Sequence, residues 1–189
     1  MNAAELPPPL VIADRSAWRT WLDAHEDASD GVWLLLAKKG KDSSTALTYQ
    51  EALEEALCSG WVDGQRRTYD ERSFRQWYTP RRARSIWSQR NVQIVGRLDE
   101  EGRLRERGRQ EIERARADGR WDRAYAGPAT AEVPADLLAA LDQSPPAQAR
   151  LAQLTRTARY SALHPILTAA TAQTRARRIA ALIARLEKE

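Results

Sequence analysis

The sequence predicts an α+β fold: a small antiparallel β-sheet packed by helices, with an all-helical C-terminal segment. Three observations carry that prediction. Apolar residues recur at helical spacing over residues 16–28 and 48–60, three short stretches between residues 32 and 79 have the β-branched and aromatic content of strands, and beyond residue 134 only helical periodicity is found.

Trp18, Trp21, Leu22 and His25 fall at i, i+3, i+4 and i+7, one apolar face of a first helix, on which His25 reads as a packed or boundary residue. Val32 to Lys38 is a continuous apolar run ended by Lys-Gly-Lys, the pattern of a strand buried on both faces. Thr48-Tyr49-Gln50-Glu51 is a capping box, so a helix starts there; Tyr49, Leu53, Ala56 and Leu57 make its apolar face, Glu51, Glu54 and Glu55 its opposite one, and Gly60 stops it. Cys58, near its end, reads as a small buried hydrophobe rather than a nucleophile.

Val62 to Tyr69 and Ser73 to Thr79 alternate apolar with polar residues across a short Asp-Glu-Arg connection, which predicts a hairpin with its arginines on one surface. A helix is expected from Ser85, through Trp87, Asn91, Ile94, Val95 and Leu98, to Gly102, and another from Leu104 to Asp118. The turn-rich stretch Ala126 to Pro134 reads as a linker, dividing the chain into an α+β core over residues 1–127 and a helical segment over 128–189. In that segment Leu137, Leu138 and Leu141 mark a short helix, Pro145-Pro146 opens another through Leu154, and Thr171 to Leu186 reads as a basic amphipathic helix.

The composition, 42% hydrophobic over 189 residues, is enough for a real core. The N-terminus lacks a basic start followed by an apolar run and the longest apolar run is far too short to span a bilayer, so the expectation is a cytoplasmic chain without a membrane span. One cysteine allows no internal disulfide, two histidines give no plausible zinc set, and neither a metal nor a cofactor is expected. Signature loops for nucleotides, dinucleotides, hydrolase nucleophiles and zinc proteases are absent.

Charge is concentrated. Between Trp61 and Arg97 stand nine arginines, no lysine and three acids, interleaved with aromatic side chains, a mixture suited to planar or anionic partners. Arginine outnumbers lysine 26 to 4 over the whole chain, so biased codon usage is a second source for the same pattern, with the arginines solvated or paired with structural acids. Two clusters stand out. Arg81, Arg82 and Arg84 precede an expected helix N-terminus that Ser85 or Ser88 would cap, a combination favourable to anions. Gly60-Trp61-Val62-Asp63-Gly64-Gln65-Arg66-Arg67 places an acid between two glycines at a helix-to-strand junction, where Asp63 either fixes the hairpin through an arginine or acts as a base.

At these residues the chain resembles the YdeI/OmpD-associated family of bacteriocin-protection proteins. The resemblance rests on Glu54 to Cys58, Gly60 to Gly64, Tyr78 to Ser88 with Asn91-Val92, Gly119 to Asp122, and Thr174 to Ile179, and so extends over nearly the whole chain. It implies an association with tolerance of bacteriocins and cationic antimicrobial peptides, with no established reaction and a periplasmic setting that the N-terminus does not match. Ala169 to Gln173 departs from the Ala-Lys-Arg/Lys-Pro-Glu pattern of the family.

The expected function is binding of an anionic or sugar-containing small molecule, or of a protein partner, in a cleft lined by Trp61, Asp63, Arg66, Arg67, Arg81, Arg82, Arg84, Ser85, Trp87 and Asn91. Nucleic-acid binding by the hairpin with Arg175, Arg177 and Arg178 is the alternative. An enzyme in which Asp63 or His25 meets an arginine-held substrate is the second.

Overall fold

The computed structural model describes residues 7–40 and 43–188. Its elements are α1 (Arg15–His25), β1 (Val32–Ala37), α2 (Tyr49–Cys58), β2 (Trp61–Thr68), β3 (Ser73–Pro80), α3 (Gln89–Glu100), α4 (Glu106–Ala117), α5 (Ala135–Asp142), α6 (Pro145–Gln153), α7 (Arg156–Leu167) and α8 (Ala172–Leu186). The fold is α+β. The N-terminal reading over Met1 to Leu6 and the last lysine of Lys-Gly-Lys lie outside the described residues. Among the described residues no helix is long and apolar enough to cross a membrane. Two compact units form, one from the chain up to Ser85 together with Asn91–Trp121, the other from Ile86–Arg90 together with the chain from Asp122 onward.

In the first unit the sheet has the order β1-β3-β2, antiparallel throughout, with Leu34 opposite Gln76 and Arg67 opposite Arg75. Leu34 and Leu36 on β1 and Phe74 and Tyr78 on β3 share one face, and they pack with Trp18 and Leu22 of α1, Ala52 and Ala56 of α2, and Trp61. Trp33 and Leu35, on the opposite face of β1, are also buried, with Trp77 against Trp33 at a ring separation of 5.5 Å. Burial on both faces thus holds for β1, although its partner is antiparallel and its outer edge is met by Leu10, whose N–H donates to Trp33 O at 2.7 Å.

The α2 start follows the capping box: the Thr48 hydroxyl accepts from Glu51 N–H, and Glu51 Oε2 accepts from Thr48 N–H at 3.0 Å. Gly60 ends the helix in the left-handed region at φ 69°. The acidic face of α2 departs from expectation. Glu54 and Glu55 are 7% and 4% exposed rather than solvated, because four arginines from three other segments close over them. Glu54 accepts from Arg15, Arg97 and Arg103; Glu55 accepts from Arg15 at 2.7 Å, Arg103 at 2.9 Å and Arg105 at 3.2 Å. Burial alone would raise the Glu54 carboxyl, but hydrogen bonds from Gln50 and Arg97 and the charges of Arg97 and Arg15 bring it below the usual carboxylate value.

A bulge between Asp63 and Arg66 shifts the β2 register, and Gln76 Nε2 bridges it by donating to Gly64 O at 2.9 Å and Gln65 O at 3.2 Å. The hairpin turn is closed by Asp70 Oδ1, which accepts from Arg72 N–H, Ser73 N–H and the Ser73 hydroxyl. The hairpin arginines do not share a surface. Arg66 lies on the Phe74 side, while Arg67 stands opposite Arg75 on the other side, since neighbouring strand residues point to opposite faces.

The second unit is built from α5 to α8 around Leu137, Leu141, Leu151, Leu163, Ile166, Ile179, Leu182 and Leu186. Thr171 caps α8 by accepting from Thr174 N–H at 3.1 Å. α7 has no counterpart in the element-by-element reading, since Pro165 inside it interrupts the helical signal and its buried residues are confined to one end. The stretch Ile86–Arg90 joins this unit through a bridge between Ser88 and Tyr125, with Gln89 N–H donating to Tyr125 O at 2.9 Å.

Candidate functional site

The arginine-rich segment places its residues in several settings. Trp61 is fully buried in the first core, its indole N–H donating to Glu26 O at 3.3 Å and its ring edge-on to Trp21. Trp87, in the second unit, and Asn91 on α3 are also buried. Arg81 is 7% exposed, and its backbone N–H donates to Gly60 O at 3.0 Å. Arg82 and Arg84 are exposed in the turn after β3. Of the two expected caps, Ser88 stands directly before α3, which begins at Gln89, and Ser85 does not; the Ser85 hydroxyl accepts from Arg82 N–H at 2.9 Å and its carbonyl from Arg120 at 2.9 Å. The expectation of arginines directly abutting a helix N-terminus is therefore not met.

Among the described residues Asp63 is not paired with an arginine. It is half-buried on β2 and accepts from the Tyr49 hydroxyl at 2.8 Å, so the link it makes runs from the hairpin to the first turn of α2 and not to an arginine. His25 is exposed, stacked on Trp21 at 4.4 Å with an interplanar angle of 5°. Cys58 is fully buried, and burial pushes its thiol up to about 12, which leaves it protonated and unreactive near neutral pH.

Where Arg66 and Tyr49 meet there is a cleft of about 770 Å³, within the range of small-molecule sites. Its lining comes from the end of β1 and the residues after it, Lys38 and Lys39, from the start of α2 with Thr48 and Tyr49, and from Arg66 and Phe74 of the hairpin. The Arg66 guanidinium sits 3.8 Å from the Phe74 ring centre, a cation–π contact between two residues of the lining. Lys38 Nζ donates to Asp70 O at 2.7 Å, tethering its ammonium to the hairpin turn. Three cations and, among the described residues, no carboxylate line this cleft, so its described lining makes the potential inside positive.

A second hollow of about 500 Å³, lined by Asp14, Arg15, Arg19, Glu51, Glu55 and Arg103 among others, differs in this respect. Its cations face acids, and Glu55 is already bound to Arg15 and Arg103. Of the ten residues expected to form a site, Arg66 lines the first cleft and Asp63 supports it through Tyr49. Sequence reasoning missed Lys38, Lys39, Thr48, Tyr49 and Phe74 as lining residues. One signal was available: of four lysines in an arginine-biased chain, three stand at 38, 39 and 41.

Residues 10–111 match the family described as Domain of unknown function (DUF8412), which spans more than half of the sequence, and the chain belongs to that family. Residues 130–189 match the family described as Bacteriocin-protection, YdeI or OmpD-Associated, in agreement with the resemblance noted above. The motifs from Glu54 to Asn91 lie inside the first match, and Thr174 to Ile179 inside the second, so the likeness to the YdeI/OmpD-associated family is carried by the C-terminal part. No curated protein and no solved structure matches the chain.

Proposed function

We propose that this chain is a ligand-binding protein of bacteriocin-tolerance type, taking a small anionic or sugar-containing molecule in the cleft of its first unit. The observation that carries the reading is the lining of that cleft: Lys38, Lys39 and Arg66 with no carboxylate among the described residues, beside the aromatic ring of Phe74. Binding rather than catalysis is favoured because Asp63, the acid on which a catalytic reading rests, is engaged by Tyr49. The tolerance role draws support from the description of the C-terminal match. Nucleic-acid binding is weakened by the internal use of α8 arginines: Arg175 is paired with Asp136, and Arg178 donates to Pro165 O.

Calorimetric titration of the purified chain with glucuronate, sugar phosphates and neutral sugars tests this. Saturable binding of one or more anions, weakened about tenfold or more in Arg66→Ala, is the expected outcome. Equal affinity in the parent and in Arg66→Ala would remove the cleft from the account.

A further inference from the structure

Lysine is scarce in this chain and its placement is uneven. Of four lysines three fall within residues 38–41, whereas 26 arginines are distributed throughout. A bias toward arginine accounts for the scarcity but not for the clustering. Lys38 and Lys39 line the cleft; Lys41 lies outside the described residues.

The chain's own practice shows what each cation is used for. Every ion pair among the described residues joins an arginine to a carboxylate, as with Arg103 to Glu55 and Arg175 to Asp136, and no lysine takes part. A guanidinium fork matches a carboxylate or a phosphate with two parallel hydrogen bonds, while an ammonium is a compact point charge with three rotatable donors that also serves to bind phosphate. Lys38 spends one donor on Asp70 O, which fixes its head, and keeps two. A phosphate monoester carries about −1.5 to −2 at neutral pH, and a lining with three cations and, among its described residues, no acid suits that charge better than the single charge of a carboxylate. The hydroxyl of Ser43, which lines the same cleft, suits a polyhydroxylated body.

From these placements we infer that the cleft takes a phosphorylated sugar, its phosphate held by Lys38 and Lys39 and its body lying toward Arg66 and Phe74. This rests on the cleft being the binding site, as proposed above, and adds the class of anion.

Three probes separate the two claims: glucose 6-phosphate, glucuronate and glucose, each titrated into the full chain by calorimetry, with Lys38→Gln/Lys39→Gln as the variant. Lys39 is exposed and Lys38 half-exposed, so the fold should survive the double change, and circular dichroism checks that it does. The inference expects glucose 6-phosphate to bind about tenfold or more tighter than glucuronate, glucose to bind weakest, and the double variant to lose the preference while retaining its helical signal. Glucuronate binding as tightly as the phosphate, or a preference unchanged in the double variant, overturns the phosphate assignment and leaves the cleft as an anion site. Absence of binding by all three probes overturns both.

Discussion

At Gly108 a methyl group has no room. A Cβ there would lie 2.2 Å from Cys58 O and 2.9 Å from Cys58 C, backbone atoms at the end of α2 that cannot swing aside. Helix propensity favours alanine over glycine by about 1 kcal/mol, yet Gly108→Ala should lower the urea-unfolding free energy by about 2 kcal/mol or more, because overpacking against backbone dominates. Gly96, also within a helix, meets nothing within 4 Å, so Gly96→Ala should stabilise by about 0.5–1 kcal/mol. Opposite signs at the two glycines are the expectation. Glu55 makes a second contrast: Glu55→Ala removes a buried carboxylate shared by Arg15, Arg103 and Arg105, each of which keeps another acid, and should cost about 2 kcal/mol, whereas the 38%-exposed Glu101 should cost under about 1 kcal/mol. Equal losses at Glu55 and Glu101 would mean that the buried network contributes nothing beyond surface pairing. None of this was legible in the local pattern. Glu54 and Glu55 read as a solvent face because the arginines that bury them come from 39 to 50 residues away, and Trp61 read as a ligand-facing aromatic because its burial is decided by Trp21 and Glu26.

Elements were more legible where their signal is contained within a few residues. The Thr48 capping box starts α2 as expected, the alternation over residues 62–79 became the β2–β3 hairpin, and Thr171 caps α8. Signals that need tertiary context failed: α3 starts at Gln89 rather than Ser85, and α7 was hidden by Pro165. Arg66 and Arg67 point to opposite faces as any neighbouring strand residues do, but the bulge at Gly64 and Gln65 decides which of them lies on the Phe74 side, and the sequence pattern does not locate that bulge. α7 also carries a pH dependence. Burial, and secondarily the charge of Arg178, hold the His164 imidazole below its ordinary value of 6.5, with the rings of Tyr125 and Tyr160 against it. The folded state therefore binds this proton less readily than the unfolded chain, so the stability is complete above the ordinary value and falls as pH drops through it toward the depressed folded value. Glu54 acts lower on the scale: its contribution is present above the ordinary carboxylate value and is lost as pH falls through its lowered folded value. Melting temperatures of the parent should decline between about pH 7 and 5.5, and His164→Gln should flatten that decline. An unchanged slope in the variant would assign the loss to other groups.

The whole molecule divides its labour between two units that do not follow chain order, since Ile86–Arg90 belongs with the residues from Asp122 onward while Asn91–Trp121 returns to the first. Positive charge, concentrated in the sequence between Trp61 and Arg97, is spread over both faces of the hairpin and the turn after it, and of the arginines of that segment Arg66 lines the cleft. The site was thus half legible: the segment supplied one cation, and the lysine loop, silent to a search for arginines and aromatics, supplied two. The most direct test is to map amide chemical-shift changes across the full chain on addition of glucose 6-phosphate, glucuronate or a short DNA duplex at about 50 and 300 mM salt, concentrations that bracket a Debye length of roughly 10 Å. The account predicts saturable shifts from a small anion, centred on residues 38–40, 43–50, 66 and 74 and persisting at the higher salt. Shifts spread over Arg67, Arg82, Arg84 and Arg177, produced by DNA and abolished by salt with no response in the cleft, would contradict it.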